Sequence, residues 1–354
     1  FGGCKVVIFA EGRIVNPASS SLSSTTLSGE VTLDTIPRAS TVSATDCNVG
    51  ACSTVVIGKK SNAFTSEIAY TFGGLSGYIS ANGVPVAQGE RFSQTVVNFA
   101  VPESFYGEIP DAPTGVCTLT CYTYQGQTLV GSSQTSFTVT AAQSLCAPEV
   151  SLEVVDGNSQ TLALTGDSGV LVCNGSTAVC TLQATGKNGA TIVQKRVAGQ
   201  SCEADTVMLD TVLSGSIPYS VTDSRGYTTE KVYQAQTVPY VPLTANATVK
   251  RESPTGDTAV LSISGQCFAG NFGVADTALE ITVSQPETGL YKTVCPQLQA
   301  DNTYTFTENL SGFAYNQGFM LTVVIQDKIN RIEKQLPLMA GVPVFDWGAE
   351  DFRF

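Results

Sequence analysis

Residues 117–140 read CTLTCYTYQGQTLVGSSQTSFTVT. Cys117, Leu119 and Cys121 alternate with Thr118 and Thr120, and Phe137 and Val139 alternate with hydroxyl residues. A period of two places one set of side chains inward and the other outward, which is the pattern of a half-buried strand. Between the two runs, Tyr124 to Gly126 supplies a turn. The same strand, polar turn and strand return as YSVTDSRGYTTEKVYQAQ at 219–236, turning at Asp223 to Gly226. They return again as MLTVVIQDKINRIEKQLPL at 320–338, turning at Asp327 to Asn330. The turns recur roughly 100 residues apart, the length of one immunoglobulin-like or fibronectin-like sandwich. The repeated hairpin would be the last two strands of each module.

Outward from these hairpins, strand patterning continues. Val31 to Leu33, Leu261 to Ile263 and Leu279 to Val283 alternate apolar with polar residues, and helical periodicity is nearly absent. Turn signals recur at Asp156-Gly157, Asn174-Gly175, Asn188-Gly189, Thr255-Gly256-Asp257 and Asp301-Asn302. The fold class is therefore all-β, with tandem Ig-like or fibronectin-III-like sandwiches at 41–145, 147–238 and 239–340. Pro37, Pro148, Pro239 with Pro242, and Pro343 mark the joints. Short proline-bearing linkers predict a semi-rigid rod. Residues 1–40 form an N-terminal β segment, the remnant of a preceding domain or a contact with one, in which 1–10 and 27–33 resemble strands without partners. Residues 341–354 form an exit linker.

The chain has 354 residues, of which 42% are hydrophobic and only 14% charged. The charged fraction is well under the roughly 25% usual for globular proteins, so Ser, Thr, Asn and Gln must supply the polar surface. The formal net charge of −12 disfavours phosphate backbones and anionic membrane surfaces, and no Lys/Arg run offsets it. No apolar stretch approaches the roughly 20 residues of a membrane span. Nucleic-acid binding and membrane insertion are therefore not expected. The absence of histidine removes the usual general base and the commonest metal ligand. No GxSxG elbow is present, and no pair stands out among the 30 acidic residues. Neither catalytic residues, metal ligands nor a cofactor site are expected.

Asp223, Arg225, Gly226 and Asp327 read as structural turn residues, with a carboxylate accepting backbone N–H groups and glycine taking a positive φ. Thr165 to Ser168 and Thr255 to Asp257 read as turns too, because calcium needs roughly six oxygens and no DxDxDG cluster supplies them. Sequons at Asn174, Asn246 and Asn309 are what chance gives in a Ser/Thr-rich chain. The eleven cysteines are an odd number, so at least one is free or pairs between chains. Cys117 and Cys121 share one strand face about 13 Å apart and cannot bond each other. The candidate local disulfide joins Cys173 to Cys180, on the two arms of the Asn174-Gly175 turn.

Several segments go beyond a generic sandwich. LSGEVTLDTIPRAS at 27–40, SVTDSRGYT at 220–228, VKRESPTGDTAVLSISGQCFAGNFG at 249–273 and GVPVFDWGAEDFRF at 341–354 resemble minor structural proteins of siphophages that infect Gram-positive bacteria. The resemblance covers nearly the whole chain. It implies a virion protein of the tail tip, baseplate or fibre, working outside the cell in host attachment, with other tail proteins as partners and host cell-surface glycan as a candidate ligand. It transfers no catalytic residues. The cysteine content departs from the family's pattern, and relatives continue beyond the point where this sequence stops. The alternative is a bacterial surface adhesin or filament subunit; accessory modules of a glycan-processing enzyme are a weaker third reading. Aromatic residues at the two ends, Phe1 and Phe9, then Phe345, Trp347, Phe352 and Phe354, read as assembly contacts, with a homo-oligomer, foremost a trimer, covering them.

Overall fold

The computed structural model describes residues 5–15, 22–32, 38–341, 346–347 and 352–353, with side chains described from Arg38 to Gly341. Contacts divide the chain into two compact units. One runs through Ala147 and takes in Lys187–Thr191 and Ser224–Tyr227; the other holds Pro148–Gly186, Ile192–Asp223 and the chain from Thr228 onward.

In the first unit two sheets face each other. One has six strands in the order Cys47–Asn48, Thr128–Thr140, Thr114–Gln125, Phe64–Phe72, Leu75–Ile79 and Pro85–Val86; the other has Thr41–Ala44, Cys52–Gly58 and Val96–Ala100. Alternation decides what lies inside. Phe64, Ser66, Ile68, Tyr70 and Phe72 point inward from one strand, and Ser53, Val55 and Ile57 from the facing sheet. Phe72 stacks on Phe105 with ring centroids 4.2 Å apart. Cys117 and Cys121 lie fully buried in this core, both as free thiols. The entering chain changes sheet: Thr41–Ala44 pairs with Cys52–Gly58, whereas Cys47 and Asn48 pair in parallel with Val139 and Thr140. Asp46 holds the crossing, its carboxylate accepting the Thr138 N–H at 2.6 Å. Ahead of this sandwich, Lys5–Val15 and Leu22–Thr32 pair antiparallel with each other. The reading of the N-terminal runs as strands without partners is thus corrected.

The second unit holds two further sandwiches. The first sets Glu149–Asp156, Ala178–Thr185 and Thr206–Leu209 against Gln200–Ser201, Ile192–Val197, Ser216–Asp223 and Thr228–Gln234. Leu152, Cys180, Leu182, Ile217 and Val221 fill it. The second sets Thr244–Arg251, Ala259–Gln266 and Thr303–Leu310 against Leu290–Val294, Glu280–Gln285, Phe319–Gln326 and Arg331–Leu338. Leu261, Ile281, Tyr304, Phe313, Val323 and Ile325 fill that one. Asp346–Trp347 pairs with Phe352–Arg353.

Cys173 and Cys180 are both free thiols, which corrects the local disulfide. The two arms of the Asn174-Gly175 turn do not pair with each other. Val170–Val172 pairs in parallel with Gln236–Val238, while Ala178–Thr185 lies between Glu149–Asp156 and Thr206–Leu209. A hairpin-like sequence therefore separates its arms into different sheets. A short helix, Ser159–Thr165, precedes them, with Asn158 capping it by accepting the Gln160 N–H. Its base is a buried polar knot: Asp156 accepts from Thr161 Oγ1 at 2.6 Å, from Ser176 Oγ at 2.7 Å and from the Asn158 N–H at 2.9 Å.

Candidate functional site

The residues read as turns lie at hairpin tips, but two of them do more than turn the chain. Gly226 has φ 87°, a conformation costly for any residue with a Cβ. Asp327 Oδ1 accepts the N–H groups of Ile329 and Asn330 at 2.8 and 2.6 Å, an Asx-type turn. Its other oxygen accepts from the Tyr240 hydroxyl at 2.7 Å, and Asn330 Nδ2 donates to the same hydroxyl at 2.7 Å. Burial and the Asp327 carboxylate together push the Tyr240 hydroxyl well above the usual tyrosine range, so it stays a donor.

Arg225 is 4% exposed within the first unit. Its guanidinium donates to four main-chain carbonyls: Ile109 from Nε at 2.9 Å, Lys187 at 2.8 Å, Tyr106 at 3.1 Å and Asn188 at 2.5 Å. The beginning of this set follows the 3-10 turn Glu103–Glu108, whose end exposes carbonyls in the direction of the arginine fork. Ser224 Oγ donates to the Pro110 carbonyl at 2.7 Å beside it. Arg251, in the second unit, repeats the arrangement with the carbonyls of Met339, Gly256, Phe313, Ala314 and Gln317 at 2.7–3.3 Å. Sequence reasoning gave Arg225 only a place in a turn and gave Arg251 nothing, because both sets of acceptors are main-chain atoms and carry no residue signature.

The exposed faces of the hairpin-bearing sheets are hydroxyl and amide ladders. Thr118 and Ser136 hydroxyls lie 3.1 Å apart, and Gln134 donates to Thr120 at 3.1 Å. Thr222 meets Thr228 at 2.8 Å, Thr282 meets Thr293 at 3.0 Å, and Thr322 donates to Gln335 at 3.1 Å. Cross-strand pairs of this kind stabilise a sheet without ionic groups, which is how the chain keeps a polar surface with so few charges. Surface depressions among the described residues are open. One of about 350 Å³ lies over Pro218, Tyr219 and Ser220, edged by Arg196, Glu230 and Lys231.

Burial pushes the Cys117 thiol up to about 12, Cys267 to about 12 and Cys180 to about 11, the opposite of what activates a cysteine nucleophile. Among the described residues no group of three or more Cys, Asp or Glu could hold a metal ion. Among them, no helix is long and apolar enough to cross a membrane. Phe1, Phe345 and Phe354 lie outside the described residues, as do the side chains of Phe9, Trp347 and Phe352.

Residues 16–266 match the model of the family described as "Siphovirus protein of unknown function (DUF859)". The chain belongs to this siphovirus family. No curated protein matches it. Among solved structures, proteins with serial Ig-like domains are similar to it. The three-domain titin fragment I67–I69 is similar over 85% of this chain and 95% of its own, at 8% identity and a TM-score of 0.35. The eight N-terminal Ig domains of Down syndrome cell adhesion molecule are similar over 83% of this chain at 13% identity and a TM-score of 0.28; this chain spans only 40% of that one. Three N-terminal domains of the highly immunogenic outer capsid protein of bacteriophage RB49 are similar over 85% of this chain and 99% of their own, at 10% identity and a TM-score of 0.22.

Proposed function

We propose that this siphovirus protein is a non-enzymatic structural part of the virion, placed at the tail tip, baseplate or fibre and working in host attachment. The observation that carries the reading is a siphovirus chain made of serial Ig-like sandwiches whose exposed sheet faces are neutral hydrogen-bonding ladders. Such faces offer donors and acceptors at fixed spacing and little charge, a surface suited to other virion proteins and to neutral cell-surface glycan. The same division into three modules, at 41–145, 147–238 and 239–340, belongs to the proposal, as does a homo-oligomer assembled through the terminal segments.

Mass spectrometry and immunogold labelling of purified particles test it. The protein should copurify with virions, label the tail, and as a free chain slow phage adsorption. Its absence from purified particles, or label confined to infected-cell lysate, would refute the structural role. Label on the capsid with no effect on adsorption would refute the tail assignment alone.

A further inference from the structure

We propose that the second unit is a single stiff strut, in which an aromatic joint centred on Tyr240 locks its two sandwiches so that they open and unfold together. The connecting segment Pro239 to Pro242 is short, and its Tyr240 is 2% exposed. The cluster that buries it draws residues from both neighbouring sandwiches. Its ring lies 5.8 Å from Phe268 and 5.9 Å from Phe272, and those two rings lie 5.1 Å apart. Val172 and Val238 of the preceding sandwich complete a separate core, with Leu164, Val170 and Ile329 packed around it.

Hydrogen bonds cross at the same place. The amides of Val274 and Ala275 both donate to the Leu164 carbonyl, at 3.1 and 3.2 Å. Gln160 Nε2 donates to the Lys328 carbonyl at 2.8 Å. The Tyr240 hydroxyl is tied to Asp327 and Asn330 of the last hairpin tip. Gly273 permits the close approach: a Cβ there would sit 2.8 Å from the Thr165 carbonyl oxygen, at a φ of 128°. Each side of the joint is braced from behind, by the Asp156 knot under the helix on one side and by the Asp327 turn on the other. An apolar plug with flanking directional bonds resists both sliding and bending, because either motion exposes rings to water and breaks main-chain bonds.

Native-state hydrogen exchange and urea melts on the full chain test it. In the wild type, the Val274 and Ala275 amides should exchange as slowly as those of Ser216–Asp223 and Phe319–Gln326, and the two sandwiches should melt with one midpoint. Tyr240→Ala should raise exchange at Val274 and Ala275 by about tenfold or more and separate the two midpoints. Tyr240→Phe keeps the ring and loses only the hydroxyl bonds. It should fold, keep a shared midpoint, and show a smaller rise at the same two amides. Loop-like exchange at Val274 and Ala275 in the wild type would overturn the proposal. So would separate wild-type midpoints, or a Phe variant whose exchange is unchanged beside an Ala variant whose midpoints still coincide.

Discussion

Replacing Arg225 with alanine tests whether a buried guanidinium holds the first unit's 3-10 turn in place. The side chain is 4% exposed and its four partners are carbonyl oxygens. A hydrogen bond to a charged group contributes about 1.5–3 kcal/mol, but four on one planar group do not add, and the desolvation cost of burying the charge offsets part of them. Removing the donor also leaves acceptors without a partner and a void where the side chain lay. Each buried acceptor left unsatisfied costs about 1–3 kcal/mol where water cannot reach it, so with the void the total loss is about 3–5 kcal/mol. With a urea slope of about 2 kcal/mol/M, the midpoint of the first unit should fall by about 2 M. Circular dichroism melts of the full chain, paired with exchange at the Ile109 amide, which donates to the Tyr106 carbonyl across the same turn, give the readout. Arg225→Lys keeps the charge but offers a point donor instead of a fork, so it should recover about half of the loss. A loss below about 1 kcal/mol for alanine, or full recovery by lysine, would show that charge or mere volume matters and that the fork geometry does not.

Arg251→Ala should cost less, about 1–2 kcal/mol by urea melt, because its five carbonyl contacts are partly open to water, which can replace the lost donors. Asp156→Ala should destabilise the second unit by about 2–4 kcal/mol, since Thr161, Ser176 and the Asn158 amide lose one shared acceptor; Asp156→Asn should lose less, and equal losses would argue against the role of the charge. Iodoacetamide with peptide mapping should label Cys52 and Cys295 in the folded protein and reach Cys117, Cys180 and Cys267 only after unfolding. Those buried thiols also set an alkaline limit. With folded values raised from 9.0 to about 12, 11 and 12, their contribution is fully present below pH 9 and is lost as pH rises from there toward the folded values, because only the unfolded chain ionises. Cys117→Val should flatten the fall in stability that a melt series from pH 8 to 10.5 records.

Strand alternation made the sandwiches legible, because Cys117, Leu119 and Cys121 or Leu321, Val323 and Ile325 can only be buried together on one face of an extended chain. Hairpin tips were legible where a local turn joins two strands of one sheet, as between Ser216–Asp223 and Thr228–Gln234. The same signal misled at Asn174-Gly175. Asn174 does take a positive φ of 60°, so the turn chemistry was read correctly. Whether its arms then pair with each other is decided by Gln236–Val238, more than sixty residues on, and no local motif records that competition.

The contacts that brace the sandwiches were hidden for a different reason. Arg225 bonds to Ile109 across 116 residues, and its partner atom is a carbonyl that every residue possesses. The Tyr240 joint left a fainter trace: an aromatic between Pro239 and Pro242 has no reason to lie in a solvated linker, and Phe268 and Phe272 bracket a glycine in a loop where polar residues are expected. Low charge is the common thread. A chain with 18 basic residues has few to place, yet Arg225 and Arg251 each sit among main-chain carbonyls with no acidic partner in those contacts. Ion pairs between exposed side chains are screened by salt and contribute about 0–1 kcal/mol, whereas a guanidinium forked onto fixed carbonyls keeps its geometry whatever the ionic strength. A sparsely charged siphovirus protein keeps its shape better by the second arrangement, and the neutral hydroxyl ladders on its faces follow the same logic.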